Sequence, residues 1–409
     1  MIRLVALSLF FHVLLGCDFK AEKKISVNSK NEFSISKRFF EDRKIFPNLS
    51  GRDKKQKRKI IQEYFNKTLG SQQFSGSFLV AQNGQIIFEK YQGFSNYETG
   101  KKINSRTAIH LASVGKVLTA TAIMRLVQIK ILKLDQLVQF ILPKFPYDAV
   151  TVRMLLNHRS GVPKYANFSS IDSVWNTQNT LTNQAILDLL SKHKFPLDFK
   201  PDTKFTYNNS NYALLALIIE KLTAKSFSVA MKDLVFDPIG MRNTFVMRLK
   251  KDSAYISQSY KSNYSKIPFD FLDAIYGDKN IYSTPHDLIL FDMAFYNNKF
   301  ISEDLKKEIY KGYSYEKYGI KNYGLGIRLK EWETGQKIFY HNGWWHGNNS
   351  CYVTLKKEKV TIIVLSNIYS RKVYDAIRLS SIFGDYPFEL EMNSADERGI
   401  EILFKKHVN

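Results

Sequence analysis

The chain has 409 residues, 44% of them apolar, with 60 Lys and Arg against 38 Asp and Glu for a formal net charge of +22. That length and composition allow one large core or two lobes, and 2 cysteines exclude a disulfide framework. The positive charge would suggest a nucleic-acid partner in a cytoplasmic protein, but no nucleic-acid motif is visible and the chain opens on an export-like segment, so nucleic acid is not expected as a partner.

That segment, MIRLVALSLFFHVLLGC, places Arg3 ahead of an apolar stretch from Leu4 to Leu15 and ends in Gly16-Cys17. The stretch is too short to span a bilayer and reads as the apolar part of a signal peptide. Leu14-Leu15-Gly16-Cys17 resembles the bacterial lipobox, which implies a lipoprotein signal peptide over 1–17 and a lipidated Cys17 as the mature N-terminus. An ordinary signal peptide and a buried N-terminal helix are the alternatives. Lipid on Cys17 leaves Cys351 without a disulfide partner, and its strand-like surroundings, NNSCYVTL, make it a small core residue.

Residues 18–55 read as a basic linker. Across 18–60 there are 14 Lys and Arg against 6 Asp and Glu, which suits a solvated tether or a segment lying on anionic lipid headgroups. A single domain follows over 56–385, and 386–409 is read as a tail. Two strand-like runs in 76–93 are joined by Asn83-Gly84, a strong hairpin signal. Helical patterns dominate from about 113 to 310, among them TNQAILDLLSKH, NYALLALIIEKL and TPHDLILFDMAF, the last with Thr284 as cap and Pro285 at the first helical position. Strand patterns return in YGLGIRLKE, KIFYH, NNSCYVTL and VTIIVLSN, and a helical stretch runs from Arg371 to Ile382. Strands at both ends with helices between predict an α+β fold: one antiparallel sheet built from the two termini, flanked by terminal helices, with a helical lobe inserted. Ligand sites favour such lobe boundaries.

Three places carry chemistry. In HLASVGKVLTATAIMRLV, Ser113 and Lys116 share one face of an apolar helix start. A lysine kept out of water can take a proton from a serine and make it a nucleophile; the alternative is a lysine that snorkels to solvent. Ser-x-x-Lys also occurs at Ser34/Lys37, Ser191/Lys194 and Ser314/Lys317, and only the copy at Ser113 opens an apolar helix. In FTYNNSNYALLALIIEKL, Tyr207 and Asn209 precede a helical run; a tyrosine near cations can act as general base or acid, while a loop with a helix cap explains the same letters. In FYHNGWWHGNNSCYV, Gly343 permits close approach to the backbone and His341 can supply a proton. A metal pair of His341 and His346 matches no common zinc spacing and has no acidic residue nearby in sequence, so no metal is expected.

Ser113-Val114-Gly115-Lys116, Tyr207-Asn208-Asn209 and His341-Asn342-Gly343, in that order and spacing, resemble the three motifs of the serine β-lactamase and penicillin-binding-protein superfamily. The similarity is greatest to the class C β-lactamase-related branch, which also holds esterases and D-amino-acid-specific peptidases. TVRMLLNHRSGVPKY, FDPIGMRNTF, YGLGI and VLSN resemble further segments of the family, so the likeness runs through most of 56–383. The resemblance implies a transpeptidase-like fold and an envelope-anchored serine hydrolase that needs no cofactor and acts on an ester, amide, D-amino-acid peptide or β-lactam. It implies Ser113 as nucleophile, Lys116 as its activating neighbour and Tyr207 as the base that also protonates the leaving group. Asn209 is then expected to hold substrate and Lys116, His341 to contact substrate or tune Tyr207, and the amides of Ser113 and Trp344 to hold the oxyanion beside Gly343. His341 stands where most β-lactamases have lysine, which favours esterase or peptidase chemistry and substrates that are uncharged or cationic at that end. Trp344 and Trp345 are expected to narrow the pocket. A penicillin- or peptidoglycan-binding protein without turnover, and an envelope scaffold, remain as alternatives.

Overall fold

The computed structural model describes residues 46–70 and 74–390; Cys17, the signal stretch and most of the expected linker lie outside the described residues. Its centre is a sheet of seven strands, β1 (Gly76–Gln82), β2 (Gln85–Gln92), β3 (Lys321–Tyr323), β4 (Arg328–Glu331), β5 (Lys337–Trp345), β6 (Asn348–Leu355) and β7 (Val360–Ser366). Their spatial order is β2-β1-β7-β6-β5-β4-β3, and every pairing is antiparallel. The β1–β2 turn is the Asn83-Gly84 pair at φ 54° and 70°, the left-handed geometry that this dipeptide supplies cheaply. The sheet joins the two ends of the domain, since Gly76 of β1 lies opposite Ser366 of β7.

Strands β1 and β7 are almost uninterrupted apolar runs because both faces of the sheet are covered. Phe78, Val80, Ile362 and Val364 pack with Ile60, Ile61 and Tyr64 of helix α1 (Gly51–Tyr64) and with Val373, Ala376 and Leu379 of the 3-10 helix Arg371–Ile382. Their alternates Leu79, Ala81, Ile363 and Leu365 face the inserted lobe. That lobe contains α2 (Gly115–Gln128), α3 (Asn183–His193) and α4 (Asn209–Thr223), and α5 (Pro285–Ala294) follows it. Helix α4 is buried along Ser210–Ile219, which explains an apolar sequence with little sidedness. Thr284 caps α5, its hydroxyl accepting from the Asp287 amide at 3.2 Å.

The expected architecture is present, with three local differences. YGLGIRLKE is two strands, because Gly326 turns the chain at φ 89° and a Cβ there would lie 2.3 Å from Ala120 Cβ. Helix α1 begins inside the expected linker: Ser50 Oγ accepts from the Asp53 amide at 3.1 Å, and an apolar stripe follows. Residue 386 does not begin a free tail, since Tyr386 is buried and Phe388 and Leu390 pack on the same cluster as α1. Among the described residues, no helix is long and apolar enough to cross a membrane. Cys351 is buried, and burial pushes its thiol up to about 12.

Candidate active site

Ser113 sits where a short strand, Ile109–His110, turns into α2. The strand pairs with Ile281–Ser283, and the Leu111 amide donates to Ile281 O at 2.8 Å, which fixes the approach. Ala112 then adopts φ 47°, a left-handed conformation that a non-glycine residue keeps only when its surroundings impose it. The restraint is His110, whose Nδ1 accepts from the Ala112 amide at 3.0 Å and whose Nε2 lies 3.1 Å from Asn280 Oδ1. Burial drops the His110 pKa to about 4, so at neutral pH the imidazole is uncharged, with its proton on Nε2 facing the Asn280 oxygen.

One turn on, Lys116 is fully buried, which rules out snorkelling. Its Nζ donates to Ser113 Oγ at 3.0 Å and to the Asp278 backbone carbonyl at 2.7 Å. The rings of Tyr207 and Tyr212 face it with centroids at 5.2 and 5.6 Å.

Tyr207 is placed by the segment Asn157–Tyr165. The Asn208 amide donates to His158 Nδ1 at 3.2 Å, the Thr206 amide to His158 O at 3.0 Å, and the Tyr165 amide to Ser210 Oγ at 2.7 Å. The His158 ring packs 4.4 Å from that of Tyr207, centroid to centroid. Burial, and then the charge of Lys116, hold His158 well below its ordinary pKa, so it serves as a neutral bracket. The Tyr207 hydroxyl is buried and bonds to no described group, and the same holds for Asn209 Oδ1. A buried hydroxyl left unpaired is costly unless something arrives to pair it.

The third motif lies on β5. Gly343 allows that strand to press on the nucleophile turn: a Cβ would stand 2.4 Å from Leu111 O, 2.2 Å from Ser350 Oγ and 3.0 Å from the Ser113 amide nitrogen. Ser350 Oγ donates to Leu111 O at 2.5 Å and the Tyr374 hydroxyl to Gly343 O at 3.0 Å, tying both sides of the contact. His341 is fully buried, its Nε2 3.1 Å from the Tyr323 hydroxyl and its ring 6.1 Å from that of Tyr207. Burial, then the charges of Arg328 and Lys116, keep His341 neutral.

A model of the family described as Beta-lactamase matches residues 61–382. The chain belongs to the β-lactamase family. Like its relatives, it is a serine hydrolase of the β-lactamase and penicillin-binding-protein superfamily. It is 31% identical over 366 residues to penicillin-binding protein 4* of Bacillus subtilis, covering 84% of this chain and 80% of that one. Over 394 residues it is 23% identical to the teichoic acid D-alanine hydrolase of Staphylococcus aureus, covering 93% and 91%. Its fold is similar to that of a penicillin-binding protein from Bacillus halodurans, with TM-score 0.68 and 24% identity over 76% of this chain and 97% of that one.

The residues singled out in this β-lactamase-family chain are brought together unevenly. Ser113, Lys116, Tyr207, His341 and Gly343 converge. Lys116 donates to Ser113 Oγ and the Asp278 carbonyl and not to Asn209, whose Oδ1 is left without a partner. Trp344 stands 62% exposed, with its Nε1 donating to His346 O at 2.8 Å. Trp345 turns aside, donating to Asp273 Oδ1 at 2.6 Å. His346 is separate from His341 and lies 2.9 Å from Asp273 Oδ2, with Asp270 close by, so the fold supplies the acidic neighbours that the sequence lacks locally. Both Asp273 oxygens are engaged by Trp345 Nε1, His346 Nε2 and the Asp270 amide, so the cluster satisfies its own hydrogen bonds.

Three groups at the site escape sequence reasoning. The Asp278 carbonyl that holds Lys116 is a backbone atom with no side-chain signature. His158 lies inside a family-like segment but acts through packing. Arg328 arrives from β4 with its guanidinium 4.8 Å from the Tyr207 ring centroid and 5.7 Å from that of Tyr323. It puts a cation beside a site that His341 alone leaves neutral.

Proposed function

We propose that this protein hydrolyses an ester or amide through an acyl-enzyme at Ser113. The observation that carries the reading is a lysine, fully buried, bonded at 3.0 Å to the hydroxyl of the one Ser-x-x-Lys serine that opens an apolar helix. Ser113 Oγ attacks the substrate carbonyl while Lys116 donates to that Oγ, and its proton passes to the Tyr207 oxygen as Tyr207 gives up its own. The carbonyl oxygen gathers charge against the amides of Ser113 and Trp344, donors of a kind that contributes about 3 kcal/mol each. As the C–O or C–N bond breaks, the departing group takes a proton through Tyr207, whose unpaired hydroxyl supports that role. Water then attacks the acyl carbon, Ser113 leaves with a proton, and the enzyme is restored. Asn209, with its own unpaired oxygen, offers an acceptor to a substrate amide or ammonium.

The substrate class is an acyl ester or amide of the D-amino-acid type, which the likeness to a D-alanine hydrolase and a penicillin-binding protein supports. Work of this kind lies on the outer side of the bacterial membrane, with a lipid on Cys17 as anchor. The test is incubation with a fluorophosphonate and a fluorescent penicillin, followed by intact mass. One adduct, absent in Ser113→Ala and cleared with time from a turned-over ester, is the expected result; a penicillin adduct with no turnover of any ester indicates a binding protein. Labelling at another serine overturns the reading, and Lys116→Ala should lose nearly as much activity as Ser113→Ala.

A further inference from the structure

Beside Tyr207 opens a cavity of about 710 Å³, with walls from the segment leading into the Tyr207 turn, the 314–322 connection and β4. Four cations line it: Lys204, Lys317, Lys321 and Arg328. The carboxylate among its lining residues, Glu316, is already engaged by Arg159, which also pairs with Asp202 at 2.6 Å. Arg328 has no carboxylate partner among the described residues and meets only the rings of Tyr207 and Tyr323. Cations of one sign gathered in a concave wall raise the local potential and concentrate anions. Three ammoniums and a planar guanidinium suit the dispersed oxygens of phosphate. The volume exceeds what one carboxylate needs, and Arg328 belongs both to the cavity wall and to the surroundings of Tyr207, lying 4.8 Å from its ring centroid.

We infer that this cavity is an anion subsite that receives phosphate carried on the alcohol portion of the acyl-ester substrate. The inference rests on the hydrolase reading above and specifies its substrate. It reverses the preference for uncharged or cationic substrates expected from His341, because the charge comes from β4 and the 314–322 connection and not from the third motif. Phosphate can arrive on a small soluble ester or along a phosphodiester polymer, and the two differ in how many of the lysines they engage at once.

The experiment compares kcat/KM for the D-alanyl esters of glycerol, of glycerol 1-phosphate and of poly(glycerol phosphate) in the wild type, in Lys204→Ala/Lys317→Ala/Lys321→Ala, and in a control that loses Lys54, Lys55 and Lys59 of α1. Exposed charge pairs are individually weak, so removing three should cost about tenfold on phosphate esters at low salt, mostly in KM. The same variant should keep wild-type kcat/KM on the glycerol ester, and the control should keep the phosphate preference. Rising ionic strength should erase the preference. An advantage confined to the polymer assigns the subsite to a phosphodiester chain; an equal advantage for the monomer assigns it to a single phosphate. No phosphate preference, or an equal loss in the control, overturns the subsite while leaving the hydrolase intact. If no ester is turned over, the hydrolase reading fails, and calorimetric binding of poly(glycerol phosphate) to the wild type and the triple variant decides the subsite alone: equal affinities overturn it.

Discussion

Replacing Gly343 by alanine tests whether β5 and the nucleophile turn are a single machined contact. The added methyl would lie 2.4 Å from Leu111 O, and reaching the ordinary contact range that begins at 3.4 Å requires about 1 Å of separation. Leu111 O cannot yield freely, since Ser350 Oγ is bonded to it at 2.5 Å and Ile281 O holds the Leu111 amide at 2.8 Å. Overpacking of this kind costs about 1–3 kcal/mol. A 1 Å misplacement of reacting groups costs ~100-fold in rate. We therefore expect Gly343→Ala to fold with a lowered Tm and to acylate with a fluorophosphonate ~100-fold more slowly, the loss falling on kcat more than KM. Adding Ser350→Ala removes the 2.2 Å clash but not the one with Leu111 O, so the double variant should recover only part of the rate. Wild-type acylation in Gly343→Ala, or full recovery in the double variant, refutes the claim that backbone proximity at this point sets the geometry.

Acid should destabilise the protein through its buried imidazoles: with His110 at about 4 when folded and 6.5 when free, the unfolded chain binds more protons between those values. Stability should thus be level above pH 6.5 and fall by about 3 kcal/mol toward pH 4 from this group, and urea midpoints of His110→Gln should show a shallower fall. His341→Lys places a third cation among Arg328 and Lys116 in a fully buried position, so its Tm should drop, with a cost of several kcal/mol, and a Tm equal to wild type would count against the burial described. In Cys17→Ala the protein should leave the membrane fraction while retaining esterase activity, and its remaining thiol, Cys351, should resist a thiol reagent until urea unfolds the chain.

What was legible in the sequence was whatever is local. Ser113 and Lys116 are one helical turn apart, Asn83-Gly84 dictates its own turn, and Thr284-Pro285 announces a helix, so short-range spacing sufficed for each. The charged start of α1 reads as solvated linker because Lys and Arg outnumber its apolar residues, yet Lys57 lies with its stem buried and its amine on Gln82 Oε1 at 2.8 Å. Arg328 and the Asp278 carbonyl stayed hidden because their role depends on segments far apart in sequence. The same distance hid Asp273 from His346.

The pairing of β1 with β7 also bears on how the molecule comes into being. Gly76 cannot find Ser366 until nearly the whole domain has left the ribosome, and contacts so remote in sequence slow the search for the native state. Until then β1 lacks the strand that pairs with its second edge, and an unpaired edge of this kind is inclined to stick to others. A chain interrupted anywhere before β7 should therefore yield no partial enzyme, only material for degradation, and the last strand acts as the closing step of biosynthesis.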